Sequence, residues 1–240
     1  MFFLIYLQKL LCMGDKKTIN IYANLFPENG ILSKPEIDLI SQNSRKVTFK
    51  NREIIFRQET LTSHAMFIVS GYVKLYKEAR NNKTFILKIA TPGNFLGMIS
   101  IYGGGVFNYS ASAINEVEVM FIDIGIFNSI IENNGRYTQH LLKTLAADNM
   151  YMFDRLISQY QKQLPGKIAD VILYFAEKIY HSESYELELT RAELAELAGT
   201  TKESFIRTLT EFKNDKIIDI EGKFIKINSM DILKTLSKIG

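Results

Sequence analysis

The sequence predicts an α+β chain in three parts: an N-terminal antiparallel β-roll, one long helix and a C-terminal winged helix-turn-helix. Three observations carry this prediction. Between Arg45 and about Asp123, short β-branched and aromatic runs are punctuated by turn residues. From Thr138 to Gln163, apolar residues recur at spacings of three and four. Within Leu189–Lys216, two capped helical segments meet at Gly199, and a short hairpin follows.

The 240 residues suffice for two modest domains with real cores. Hydrophobic residues make up 47% and charged residues 23%, a globular balance rather than a disordered one. The net charge of +3 is too mild to identify a nucleic-acid partner. Segment 187–240 has nine basic and nine acidic residues, so a DNA-binding face there must come from sorting charges in space. The single cysteine, Cys12, excludes a disulfide framework or a CxxC metal site within one chain, which fits an intracellular, cytoplasmic protein. Phosphate-loop, GxSxG and HExxH motifs do not occur, and no catalytic constellation emerges, so the chain reads as something other than an enzyme.

Met1–Cys12 is almost wholly apolar, yet too short to span a bilayer and without the basic start of a signal peptide. Residues 1–12 read either as lying ahead of a true start at Met13 or as a loose extra leader, and no membrane partner is expected. Ser33 and Glu36 form a capping box ahead of a short helix, and Pro35 falls in its first turn. Strands are expected at Val47–Phe49, Glu53–Phe56, Met66–Ser70, Tyr72–Tyr76, Thr84–Ile89, Tyr109–Ile114 and Glu118–Ile122, with Asn81-Asn82 among the turns. Such a roll can enclose a small pocket. Gly103-Gly104-Gly105 reads either as a flexible lip of that pocket or as a plain connection.

Ile126, Phe127, Ile130 and Ile131 lead to a break at Asn133-Asn134-Gly135. The long helix then carries Leu142, Leu145, Asn149, Met152 and Leu156 on one stripe and Phe153, Ile157 and Tyr160 on a neighbouring one. Two stripes need two surfaces, the roll and the same helix of a second copy, with Asn149 fixing the register of a dimer. Pro165-Gly166 is expected to end this helix and mark the domain boundary. The division is thus 13–137 for the β-roll, 138–164 for a dimerisation helix and hinge, and 165–240 for a winged DNA-binding domain.

Capping boxes at Thr190–Glu193 and Thr200–Glu203 start the two helices of the helix-turn-helix. At about 100° per residue, Phe205, Leu209 and Phe212 share the inward face of the second helix, and Lys202, Glu203, Ile206 and Arg207 share the other. Arg207 can donate twice to guanine, Glu203 can accept from cytosine N4, and Ile206 suits a thymine methyl. Thr201, Lys213, Lys223 and Lys226 are candidates for phosphate contacts. Ile217–Ile220 and Lys223–Ile227 around Glu221-Gly222 form the wing.

In this order the parts resemble the Crp/Fnr family of bacterial transcription regulators, over about Ile21 to Ile227. LTRAELAELAGTTKESFIRTL looks like that family's DNA-binding signature, with Glu203 and Arg207 at its reading positions. MFIVSGYVKLYKE and TPGNFLG look like its cyclic-nucleotide-binding-domain-like roll. The resemblance implies a homodimer on a pseudo-palindromic site, a signal sensed in the roll, and contact with RNA polymerase.

The departures bear on that signal. Met98 stands where a glutamate would hold the ribose, and Tyr109 where an arginine would hold the cyclic phosphate. The expected effector pocket, Met98, Phe107, Tyr109 and Ser110, therefore points to a signal other than a cyclic nucleotide, an apolar or aromatic effector or haem, or equally to a roll that binds nothing. One cysteine cannot hold an iron–sulfur cluster. Haem stays open as a cofactor, with His64 and Met66 as candidate axial ligands. Two alternatives accompany the main reading: a haem-based gas or redox sensor of the same family, and a sensor whose winged helix binds protein.

Overall fold

A computed structural model describes residues 30–79 and 84–240. The expected leader at 1–12, the start at Met13, Cys12 and the Asn81-Asn82 turn lie outside the described residues. The chain divides into two compact units. One takes the chain up to Leu75 together with Ile89–Met150; the other takes Tyr76–Lys88 together with Tyr151–Gly240.

The first unit begins with α1 (Lys34–Gln42), where the Glu36 carboxylate accepts from the Ser33 N–H at 2.6 Å and its hydroxyl at 2.7 Å. The roll strands are β1 (Ser44–Phe49), β2 (Ile54–Phe56), β3 (His64–Ser70), β4 (Val73–Glu78), β5 (Thr84–Ala90), β6 (Phe95–Leu96), β7 (Ser110–Ala113) and β8 (Val117–Asp123). They form two four-stranded sheets, β1-β8-β3-β6 and β2-β7-β4-β5. β8 pairs antiparallel with β1, placing Val47 opposite Val119, and with β3, placing Phe67 opposite Met120. Ala65–Ile68 are buried on both faces of β3, so this strand reads as an apolar run rather than an alternation.

Between β6 and β7 lies α2 (Met98–Tyr102), which the sequence reading leaves out. Gly97 enters it at φ 75°, a conformation that favours glycine, and five residues are too few to display a helical period. α3 (Ile124–Asn133) starts on Asp123, whose carboxylate accepts from the Ile126 N–H at 3.0 Å. The break before α4 (Gly135–Gln161) is organised by Asn134. Its amide donates to the Ile31 carbonyl and Glu36, and its Oδ1 accepts from the Tyr137 N–H. Phe67, Met98, Met120, Phe127, Tyr137 and Leu141 form the core that seats these helices on the sheet.

α4 runs through the division at Met150 and ends at Gln161 rather than at Pro165-Gly166. Pro165 instead lies in the first turn of α5 (Leu164–Tyr174), where a missing N–H costs nothing. α5 widens into a π-helical turn over Phe175–Ile179. In this second unit the Asp170 carboxylate accepts from Ser158 on α4, from Lys162 in the linker at 2.7 and 2.8 Å, and from Ser237. Ser237 belongs to α8 (Met230–Ile239), a terminal helix absent from the sequence reading, which buries Leu233.

The rest of the unit is α6 (Arg191–Ala198), α7 (Lys202–Asn214) and a sheet of β9 (Ser184–Glu186), β11 (Phe224–Ile227) and β10 (Ile218–Glu221). Gly199 ends α6 at φ 66°; a Cβ there would stand 2.2 Å from Gln159 Oε1. Arg155 on α4 donates to the carbonyls of Ile86, Leu87 and Leu197, and Thr84 donates to Glu196 at 3.0 Å. Those contacts tie the outer part of the β4–β5 hairpin to α6.

Candidate nucleic-acid interface and roll pocket

The capping box of α6 forms as its sequence dictates: the Thr190 N–H and hydroxyl both donate to Glu193 at 2.9 Å. α7 is capped one residue later than expected. Thr201, not Thr200, accepts the first-turn N–H, from Ser204 at 3.2 Å. The Thr-Thr pair offers two caps, and the one that leaves Glu203 unused as a box partner forms.

This start fixes the rotation of α7. Phe205, Thr208, Leu209 and Phe212 are buried, Phe205 to 1% exposure, and Ile206 beside it is 39% exposed. Lys202, Glu203, Ile206 and Arg207 all stand in solvent on the opposite face, with Glu203 one helical turn before Arg207. An exposed isoleucine between a carboxylate and a guanidinium is a poor solvent face and a good groove-reading one.

The phosphate candidates divide. Lys223 and Lys226 stand exposed on the wing. Thr201 is occupied as the cap, and Lys213 donates to the Ile220 carbonyl at 3.0 Å. Arg191, not singled out in the sequence, donates to the Gly222 carbonyl at 2.6 Å, and burial lowers its pKa from the usual guanidinium value. Two basic side chains therefore hold the wing against the helices.

The expected pocket residues of the roll turn inward. Met98, Phe107 and Ser110 are buried. The Tyr109 hydroxyl accepts from the Gly97 N–H at 3.0 Å, and the Ser110 hydroxyl accepts from the Gln58 N–H at 3.0 Å. Phe107 stacks on Phe56 with ring centroids 3.9 Å apart, and Tyr109 tilts against Phe56 at 5.6 Å. A Cβ on Gly97 would meet the Phe107 ring at 2.5 Å. Burial pushes the Tyr109 phenol up to about 12, against the Gly97 hydrogen bond that lowers it, and the Asp148 charge adds to the rise. Met98 thus packs in the core with Phe67 and Met120, and Tyr109 lies against Phe56 and the Gly97 N–H.

His64 and Met66 lie two residues apart on β3, on the same face of the sheet. The His64 ring packs edge-on to Phe121, and its Nδ1 pairs with the Ser63 hydroxyl at 2.9 Å. Among the described residues no group of three His, Cys, Asp or Glu is placed to hold a metal ion.

The expected dimerisation stripe also divides. Leu145 packs on the roll core and Met152 is half-buried. Leu142, Phe153, Leu156 and Tyr160 are each more than half exposed. Asn149 is exposed, with its amide donating to the Leu145 carbonyl at 2.9 Å. Residues 142, 149, 153, 156 and 160 run at seven-, four-, three- and four-residue spacing, the rhythm of a helix–helix seam.

Comparison with known proteins agrees with this architecture. Residues 46–134 match the Cyclic nucleotide-binding domain family, and residues 166–236 match the Crp-like helix-turn-helix domain family. The chain is 26% identical, over 82% of its length and 90% of the relative's, to the CRP-like cAMP-activated global transcriptional regulator of Mycobacterium tuberculosis. It is 25% identical to the nitrogen fixation regulation protein FixK of Bradyrhizobium diazoefficiens, over 79% of this chain and 80% of that one. The structure of FixK2 from Bradyrhizobium japonicum superposes with a TM-score of 0.74 at 18% identity, covering 80% of this chain and 96% of that one. Roll, long helix and open recognition helix together define a DNA-binding transcription regulator. The chain belongs to the Crp/Fnr family, whose members are transcription regulators and not enzymes. Among the described residues no helix is long and apolar enough to cross a membrane.

Proposed function

We propose that two copies of this chain read a pseudo-palindromic operator, each placing α7 in a major groove. Residues 13–137 act as the sensing roll, 138–164 as the dimerisation helix and hinge, and 165–240 as the DNA-binding domain. The observation that carries this reading is the outward face of α7, with Lys202, Glu203, Ile206 and Arg207 all free of the protein core. Glu203 and Arg207 read bases, Lys202 and Ile206 support them, and Lys223 and Lys226 hold phosphates. The exposed seam on α4 pairs with its copy, which sets two recognition helices about 34 Å apart. RNA polymerase is the onward partner and the cytoplasm the site of action.

The Mycobacterium tuberculosis relative is named as cAMP-activated. Here Met98 and Tyr109 supply neither a carboxylate for a ribose nor a guanidinium for a cyclic phosphate, so the controlling signal is not a cyclic nucleotide. The test is operator selection followed by footprinting. Wild type protects two symmetric half-sites. Arg207→Ala weakens binding by about 1–3 kcal/mol and relaxes one base pair in each half-site. A single unpaired half-site, or a footprint indifferent to Arg207→Ala, refutes the reading.

A further inference from the structure

A hollow lies in the roll with Phe107 in its lining. It has a volume of about 420 Å³, between β2, the 57–63 loop and β3. Its walls are Ile54, Phe56, Leu61, Met66, Phe107 and Phe121. Arg57, Ser63 and His64 supply the polar side chains near its mouth, with Thr60, and no aspartate or glutamate lines it. We propose that this hollow binds a medium-chain monocarboxylate, its apolar chain against the aromatic and aliphatic walls and its carboxylate at Arg57 and His64. The proposal rests on the reading that the controlling signal is not a cyclic nucleotide.

Three features favour an amphipathic anion. The size falls in the ordinary range of small-molecule sites, about 300–1,000 Å³, and such sites are mostly apolar with a few placed polar groups. No carboxylate is among the lining residues, and the Arg57 guanidinium there suits an anion. The mouth is also built rather than loose. The Glu59 and Thr62 N–H groups donate to the carbonyls of Phe107 and Gly105, and the Phe107 N–H donates back to Thr60. Glu59 is held at φ 68°, a left-handed conformation that a non-glycine residue keeps only when its surroundings fix it. Leu61, at the rim, is left 79% exposed, which an incoming alkyl chain would correct.

The site has a route inward. Phe56 and Phe107 form its inner wall, Phe107 lies against Gly97, and the Gly97 N–H is held by Tyr109. An alkyl chain pressing on Phe107 therefore bears on the glycine that starts α2.

Calorimetry of the full chain with octanoate, and with octanol as an uncharged match, tests the proposal. Octanoate binds with a micromolar Kd, at least tenfold tighter than octanol. Arg57→Ala abolishes that preference, and Leu61→Asp removes binding of both. Equal affinity for the two probes, no binding of octanoate, or an octanoate Kd unchanged by Arg57→Ala overturns it. A cAMP titration in the same cell keeps the two readings apart: cAMP binding overturns the reading that the signal is not a cyclic nucleotide, whereas octanoate failing alone overturns only this site.

Discussion

In the winged-helix unit, the side chains suited to a ligand are carried outward, and the apolar residues between them are spent on the core. Lys202, Glu203, Ile206 and Arg207 stand in solvent, and Phe205, Leu209 and Phe212 hold the helix from behind. In the roll the arrangement is reversed. Met98, Phe107 and Ser110 are buried, Tyr109 and Ser110 accept from backbone N–H groups, and Phe107 stacks on Phe56. Both units match their family over most of their length, so departure from family chemistry is a local event. A reading helix keeps its role while its exposed residue types persist. A binding pocket loses its role when two or three inward side chains find partners within the chain.

The largest test of this contrast falls on the residue that holds the outward face. Phe205→Ala should cost about 3–5 kcal/mol in chemical denaturation and abolish DNA binding. A stable variant that still binds would mean that α7 does not depend on its buried side. Next comes the inward tyrosine. Tyr109→Phe keeps the ring but leaves the Gly97 N–H without its acceptor, and should destabilise the roll by about 1–3 kcal/mol at neutral pH.

The same residue gives a pH signature. Its folded pKa is raised from 10 to about 12, because burial disfavours the phenolate. That contribution is complete below pH 10 and is lost as pH rises toward about 12, up to about 2–3 kcal/mol. The gap between wild type and Tyr109→Phe should therefore narrow over that interval in alkaline unfolding curves; a constant gap would show that the phenol is hydrated. The smallest effect belongs to the wing. Lys223→Ala should weaken all DNA sequences alike and lower the salt slope by about one, leaving base preference intact.

Most of the fold is legible because its cues are local. Turn pairs bound the strands of the roll, Thr190–Glu193 marks the start of α6, and the spacing of Phe205, Leu209 and Phe212 gives the orientation of α7. The features that escape are either very short or depend on distant partners. α2 is a five-residue helix with no periodic stripe. Arg155 meets Ile86 and Leu87, and Asp170 meets Ser237, across more than sixty residues, and nothing near either position announces the partner. α8 carried a usable cue, Ser229 before Met230 and Leu233, and could have been drawn. On α4, two interleaved stripes cannot be divided by spacing alone. Only burial separates Leu145, seated on the roll core, from Leu142 and Leu156 in solvent.

The Asp170 carboxylate has a mechanical meaning. It gathers donors from α4, from the linker and from α8 onto α5. No one of those four segments can slide past the others without breaking charge-assisted or hydroxyl bonds together. The final turn of the long helix is therefore a handle welded to the winged domain.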